Sequence, residues 1–450
     1  MRGGDDIIVA PATLTGGAIA IVRLSGDGSI VLCDKIFRGH QSTPLTESAT
    51  HTLRYGEIVD GDRVVDDVLV TLFRAPHSYT GEESVEISCH GSHYIVQEII
   101  SLLLGAGARS ADAGEFTTRA YLAGRMDLSQ AEAVADMIAS TSRAQHTMAS
   151  TQMRGKYSSR LSDLRGQLVQ LAALLELELD FSEEEVEFAD RTRLTTLIGS
   201  LTSEIERLAN SFAVGNAIKR GVHVAIVGRP NVGKSTLLNY LLGDQRAMVS
   251  EIAGTTRDLI EEEIVIDGIT FRFIDTAGLH TTNDRLEQMG IERTHSAIER
   301  AQVVIHLVDA QQIGEDNSVD LSQLREDQSV IKVINKIDTL DQYTPSEKAI
   351  YISAKEGQGV DKLVAKLREQ IDTTALYAGA PIVSSLRHYD LLTQSLTALK
   401  AAQKGLNEGL PTDLLCQEIR EVLHNIGAIT GAITTNDILS EIFSKFCIGK

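Results

Sequence analysis

Cationic side chains are in deficit: 42 Lys and Arg stand against 62 Asp and Glu, a formal net charge of −20. Phosphate backbones require Lys and Arg, so the deficit excludes a general nucleic-acid binder that works through bulk charge. An RNA substrate then needs a local patch or a basic partner. Cysteine is scarce as well, with Cys33, Cys89, Cys416 and Cys447 scattered and no C-x-x-C pair. That excludes a disulfide scaffold and argues against structural zinc. No apolar run reaches the length of a membrane span. The first residues, Met1-Arg2-Gly3-Gly4-Asp5-Asp6, run into the strand-like Ile7-Ile8-Val9-Ala10 with neither a signal-peptide core nor an Arg-rich transit segment, so a cytoplasmic location is expected. What remains is ordinary for a globular protein, 43% hydrophobic and 23% charged. A length of 450 residues suggests about three domains.

The chain is organised around Gly228-Arg229-Pro230-Asn231-Val232-Gly233-Lys234-Ser235, which follows the apolar run 222–227 and precedes the helix-like 236–242. Strand, G-x-x-x-x-G-K-S loop and helix in that order form a P-loop. Its glycines let backbone N–H groups curl around a β-phosphate, and the helix N-terminus adds its positive dipole end. Lys234 is expected to reach the β- and γ-phosphates and the Ser235 hydroxyl to ligate Mg²⁺.

Residues 1–120 alternate short β-like runs (19–24, 64–73, 84–88) with turns, followed by a helical stretch at 95–104, which reads as a compact α/β domain. Arg23 and Glu86 each interrupt an apolar strand. Either they point to the solvated face of a half-buried sheet, or they line a small-molecule pocket with opposite charges. Residues 121–216 read as helical. Ser129-Gln130-Ala131-Glu132 fits a capping box, with Val134 and Ile138 at helical spacing behind it. Leu161, Leu164, Leu168, Leu171, Leu174 and Leu175 recur at threes and fours, as do Ile198, Leu201, Ile205 and Leu208, and these are bundle core. Glu183-Glu184-Glu185 is a solvated turn or helix start.

Residues 217–378 carry motifs at the ends of successive buried strands. Gly254-Thr255-Thr256-Arg257-Asp258 lies in a polar loop suited to a switch. The strand 270–274 delivers Asp275-Thr276-Ala277-Gly278, and 303–308 ends at Asp309. The run 330–334 ends at Asn335-Lys336-Ile337-Asp338, and 349–352 ends at Ser353-Ala354-Lys355. A doubly wound parallel sheet holds its ligand at those carboxyl ends. A helix over 360–371 closes the fold, with Leu363 and Leu367 inward. His223 and His306, inside apolar strands, read as core residues.

This ordered set resembles the translation-factor-like P-loop GTPases. The resemblance implies that Asp338 accepts hydrogen bonds from guanine, that Asn335 and Lys336 shape the base pocket, and that Ser353, Ala354 and Lys355 cover the guanine edge. It implies that Asp275 holds Mg²⁺ through water and that Thr256 closes onto the metal. Leu279 stands where signalling GTPases carry the water-orienting glutamine, so another group must do that work, with candidates in Asn283-Asp284-Arg285-Leu286-Glu287. Asn231 offers an amide oxygen for a monovalent cation against the phosphates.

After the linker-like Gly379-Ala380-Pro381, helical patterns resume at 389–399, 414–426 and 438–446. Helices therefore flank the nucleotide domain on both sides, and the economical architecture is a helical bundle (121–216 and 379–450) with the GTPase inserted into it. The ending Phe446-Cys447-Ile448-Gly449-Lys450, the P-loop, Ile252-Ala253-Gly254-Thr255-Thr256-Arg257-Asp258 and Gly114-Glu115-Phe116-Thr117-Thr118-Arg119-Ala120 together resemble the tRNA modification GTPase MnmE (TrmE) family over essentially the full length.

That resemblance implies a homodimer formed through an N-terminal domain that binds 5-formyl- or 5,10-methylene-tetrahydrofolate through Arg23, Glu86, Arg125 and Lys450. It implies a heterotetrameric complex with the partner MnmG, which alone carries FAD. The product is an aminomethyl or carboxymethylaminomethyl group at C5 of the wobble uridine of certain tRNAs. GTP hydrolysis in the family is activated by K⁺, whose ligands here are Asn231, Ser250, Ile252 and Thr255, and is stimulated when two G domains approach. GTP lies along Asn231, Val232, Gly233, Lys234, Ser235 and Thr236, and along Ser250, Glu251, Ile252, Ala253, Gly254, Thr255 and Thr256. Glu287 becomes the water-orienting carboxylate. Family members commonly have lysine where this chain has Arg125, a planar fork in place of a point charge. Cys447 is either an inert thiol or, if exposed and lowered in pKa by Lys445 and Lys450, a catalytic or intermediate-binding residue. The competing reading is a ribosome-assembly or signalling GTPase that modifies nothing; it has no use for a charged pocket at Arg23 and Glu86 or for the Cys-Ile-Gly-Lys ending.

Overall fold

A computed structural model describes residues 6–180, 191–245, 261–274, 297–313, 324–325, 328–340, 342, 344–444, 446 and 449. They form two compact units, Met1–Ala135 with Gln152–Ala189 and Glu408–Lys450, and Asp136–Thr151 with Asp190–Asn407.

The first unit is built on a seven-stranded sheet: β1 (Ile8–Pro11), β2 (Ile19–Ser25), β3 (Phe37–Gly39), β4 (Thr52–Asp60), β5 (Arg63–Phe73), β6 (Ser84–His90) and β7 (Arg109–Ser110). Their order across the sheet is β3-β4-β5-β6-β2-β1-β7, antiparallel except for β1 with β7. Period-two alternation buries Ala20, Val22 and Leu24 of β2, Val85, Ile87 and Cys89 of β6, and Val68, Val70 and Leu72 of β5. The helix His93–Ala106 adds Val96, Ile99 and Leu103 to the same core. On the opposite face the register sets Arg23 beside Glu86 and Glu86 beside Thr71. Strands β3, β4 and β7 go beyond the expected runs; β4 is hard to read because Arg54, Tyr55 and Gly56 interrupt its apolar positions.

Helices complete this unit. In Lys156–Asp180 the inward residues are Leu161, Leu164, Leu168, Leu171 and Leu175, with Leu174 only partly buried. They face Thr412–Thr430, which buries Leu415, Ile419, Val422 and Ile426. Arg420 pairs with Glu176 at 2.8 Å across the two helices. A helix that precedes the second unit's sheet in the sequence thus packs on one that follows it. The expected capping box is displaced by two residues. The helix Leu128–Ala139 already contains Ser129, and Asp127 is the cap: its Oδ1 accepts from Gln130 N at 2.8 Å while Gln130 Oε1 accepts from Asp127 N at 3.0 Å. The box is D-x-x-Q, because the carboxylate of Asp127 accepts where the Ser129 hydroxyl only donates to it.

The second unit holds a six-stranded sheet: β8 (Val222–Val227), β9 (Glu261–Ile266), β10 (Ile269–Ile274), β11 (Val303–Asp309), β12 (Ser329–Asn335) and β13 (Ile350–Tyr351), in the order β13-β12-β11-β8-β10-β9. All neighbours are parallel except the edge strand β9, antiparallel to β10. Buried Val, Ile and Leu fill β8 and β11 nearly continuously, as a sheet covered on both faces requires. His306 is buried in β11 and His223 half-buried in β8. The helix Val360–Arg368 buries Leu363 and Leu367 as expected. Strand β9 lacks an expectation, although its two-residue Asp267-Gly268 connection to β10 is a strong hairpin signal: both residues have positive φ, 50° and 82°.

Candidate functional site

The loop Gly228–Gly233 leaves β8 and enters the helix Lys234–Gln245. Gly233 has φ 101°, and a Cβ there would sit 2.3 Å from Asn335 Nδ2, so the position admits only glycine. Gly228 is equally constrained, with the Leu307 carbonyl 2.2 Å from an added Cβ. Asn231, exposed, adopts the left-handed conformation that asparagine tolerates. Lys234 folds back along the loop, its Nζ donating to Gly228 O at 2.8 Å and Arg229 O at 3.0 Å. Val232 is buried, whereas Ser235 is half-buried and Thr236 exposed at the start of the helix.

Asn335, at the end of β12 and only 2% exposed, joins two loops. Its Nδ2 donates to Val232 O at 2.7 Å, and its Oδ1 accepts from Ala354 N at 2.9 Å. One amide thereby locks the P-loop to the Ser353-Ala354 turn. Ser353 is fully buried, and its hydroxyl accepts from Glu356 N at 3.2 Å. Lys336, at φ 66°, turns the chain into the short helix Ile337–Thr339, on which Asp338 stands exposed. Lys336 Nζ reaches Asp309 Oδ2 at 2.7 Å. Burial alone pushes the Asp309 carboxyl upward, but the Lys336 ammonium and the Gln311 N–H outweigh it and hold the pKa below the ordinary value. The sequence motifs assign Asp309 no role. The signal was there: a carboxylate at the carboxyl end of a buried strand.

The structure brings together Asn231, Val232, Gly233, Lys234, Ser235, Thr236, Asn335, Lys336, Asp338, Ser353, Ala354 and Lys355 at the carboxyl ends of β8, β12 and β13. Ser250, Glu251, Ile252, Ala253, Gly254, Thr255, Thr256, Asp275, Thr276, Ala277, Gly278, Glu287, Cys447 and Lys450 lie outside the described residues.

In the other unit, Arg23 and Glu86 are neither independent nor solvated. Arg23 Nε donates to Glu86 Oε1 at 2.9 Å and Nη2 lies 2.8 Å from the same oxygen, with the side chains 16% and 26% exposed. The guanidinium carbon lies 5.7 Å from the ring centroids of both Tyr79 and Phe116. Arg23 Nη1 also donates to Gly449 O at 3.4 Å, which draws the end of the sequence to this sheet face. Gly449 fits only as glycine, since a Cβ would lie 2.1 Å from Pro11 O. Arg125 is exposed, its stem beside Gly81, two residues from Tyr79. An ion network supports this region: Arg119, 7% exposed, reaches Asp6 at 2.6 Å, Glu82 at 3.1 Å and Glu115 at 3.2 Å. The described cysteines are buried, and burial pushes the Cys33 thiol up to about 12 and Cys89 to about 11.

Comparison with known proteins gives two family matches, the GTP-binding protein TrmE N-terminus over residues 7–125 and the MnmE helical domain over 128–447. The tRNA modification GTPase MnmE of Flavobacterium johnsoniae is 48% identical, and that of Christiangramia forsetii 46%, each match covering 99% of both chains. Among solved structures, that of Era in complex with MgGDPNP and nucleotides 1506–1542 of 16S ribosomal RNA aligns with 39% of this chain and 65% of its own, at 29% identity and a TM-score of 0.26.

Proposed function

Because the chain belongs to the MnmE family of tRNA modification GTPases, we propose that it couples potassium-activated GTP hydrolysis to one-carbon chemistry at C5 of the wobble uridine, as a homodimer working with the FAD-carrying MnmG. The observation that carries the reading is the Asn335 bridge: one buried side chain holds the phosphate loop and the base-covering turn in a single frame. Mg²⁺, when bound, would neutralise phosphate charge; Ser235 lies in the first turn of the helix that opens at Lys234, and its hydroxyl is the proposed ligand, with Thr256 closing onto the metal and Asp275 holding it through water. Asn231, Ser250, Ile252 and Thr255 are proposed to hold K⁺, and Glu287 to orient the attacking water. Exchanging K⁺ for Na⁺ in the hydrolysis assay is expected to slow turnover strongly, and an equal rate in the two salts removes Asn231 as a cation ligand.

Folate binding is proposed at the Arg23–Glu86 pair, with Arg125 and Lys450 contributing charge and Cys447 taking a catalytic or intermediate-binding role. A folate supplies the one-carbon unit; the pair offers a donor and an acceptor side by side on a half-buried face walled by Tyr79 and Phe116. The same face exposes Ile19, Leu53, Tyr55 and Leu69, apolar area suited to covering by a second copy. A hydrogen bond from a charged group is worth about 1.5–3 kcal/mol, so Arg23→Ala is expected to lower tetrahydrofolate affinity by at least about tenfold in calorimetry. An unaltered isotherm restores a purely structural role for the pair.

A further inference from the structure

The turn read as covering the guanine edge opens at Ser353 and closes at Gln358. Ser353 N donates to Gln358 O at 2.9 Å, and Gly357 N donates to Ser353 O at 2.8 Å. Asn335 Oδ1 holds the first half of the turn through Ala354 N. The second half rests on a different element. A Cβ added to Gly357 would lie 2.1 Å from Tyr240 Oη, 2.4 Å from Cζ and 2.6 Å from Cε2, so the tip of that ring sits directly against the glycine backbone. Gly357 also has φ 77°, a left-handed conformation that glycine adopts without strain. Between the two supports lie only Lys355 and Glu356, both exposed.

Tyr240 stands on the helix Lys234–Gln245, five residues after Ser235. Leu237, Leu238 and Leu241 anchor that helix in the core, and Tyr240 packs half-buried at its margin. The helix is therefore a fixed post. Its first turn presents Lys234 and Ser235, and its second presents an aromatic ring to the turn at Gly357. A turn held at Ala354 alone can pivot about that bond; held at Gly357 as well, it cannot. We propose that Tyr240 is a positioning residue for recognition of the base, its ring fixing the Ser353–Gln358 turn at the distance from the P-loop that a guanine fills. It acts through Gly357 and not by touching the nucleotide. The P-loop holds the phosphates wherever the turn lies, so the effect of Tyr240 falls on the base.

The inference rests on the GTPase reading of the site. Competition binding to the full chain tests it, with GDP and ADP as the probes. The two share their ribose and phosphates and differ in the base edge that the turn covers. Tyr240→Leu is expected to weaken GDP binding at least about fivefold, the loss that follows when a covered polar group is left without its partner, and to leave ADP binding unchanged. Tyr240→Phe keeps Cζ and Cε2 against the glycine and is expected to restore most of the GDP affinity. Gly357→Ala reaches the same contact from the turn, is expected to show the same selective loss, and carries the test if Tyr240→Leu does not fold. In the double variant the two losses are expected not to add, as one shared contact requires. Equal weakening of GDP and ADP assigns Tyr240 to the packing of the whole unit and overturns the positioning role. Wild-type GDP affinity in Tyr240→Leu overturns it as well. An intact chain that shows no preference for GDP over ADP overturns the GTPase reading itself.

Discussion

Lys234→Ala is expected to lower kcat/KM for GTP hydrolysis by at least about 10²–10³-fold, the loss that follows removal of one preorganised donor to developing charge. The side chain has two tasks in the structure. Its ammonium satisfies the carbonyls of Gly228 and Arg229, which holds the loop in shape, and it supplies positive charge where the β- and γ-phosphates are expected. Alanine removes both. Lys234→Arg keeps the charge but replaces a compact ammonium with a larger planar fork that does not fit the same space inside the loop, so it rescues little. Steady-state hydrolysis with a parallel titration of nucleotide affinity checks the result. Hydrolysis by Lys234→Ala close to the wild-type rate removes the P-loop from the chemistry.

The second large effect concerns stability. Arg119 is nearly buried and faces three carboxylates, and its Nη1 also donates to Asp6 O at 2.9 Å. Removing one partner from a buried ion cluster leaves uncompensated charge, at a cost of about 3–5 kcal/mol. Asp6 and Glu82 retain some water, which lowers the figure for Arg119→Ala to about 2–4 kcal/mol. In a unit of this size each kcal/mol shifts Tm by about 2–4 °C. The effect depends on pH with a definite sign. The Arg109 hydrogen bond, against the opposing effect of burial, holds Asp6 below its ordinary 3.8. For Glu115, burial pushes upward, but Arg109, the Asp112 N–H and Arg119 outweigh it and hold the carboxyl below 4.5. Groups depressed in the folded state stabilise it fully above their unfolded values and cease to do so as pH falls through the lower folded values. The gap in Tm between wild type and Arg119→Ala is therefore expected to be full at neutral pH and to close below about pH 4. A gap independent of pH assigns the loss to packing.

The motifs of the proposed nucleotide site are legible because they are written in contiguous residues. A P-loop and an Asn-Lys-x-Asp stretch need no tertiary information to be recognised, and the sheet places both at strand ends. Asp309 escaped notice because its task is to hold Lys336, a pairing made only when β11 and β12 align. The pair formed by Arg23 and Glu86 had the same difficulty in another form. Two charges 63 residues apart look like separate solvated positions until antiparallel register sets them side by side. Glu115 and Arg119 were visible as a motif, but their partners Asp6 and Glu82 come from distant segments. The capping box misread by two residues shows a local limit: Ser129 and Glu132 satisfy the pattern, yet Asp127 outcompetes the serine as an acceptor. The Asp267-Gly268 turn carries a local hairpin signal, but the bond from Ala144 N to the Gly268 carbonyl, at the start of the helix Arg143–Met153, is made only in the folded chain.

Nucleoside mass spectrometry of bulk tRNA from cells lacking this chain tests the proposed function most directly. Loss of the C5 side chain on the wobble uridine is expected, restored by the intact gene and not by Lys234→Ala or Glu287→Ala. Unchanged nucleosides, or full restoration by either variant, would contradict a modification driven by GTP hydrolysis at this site.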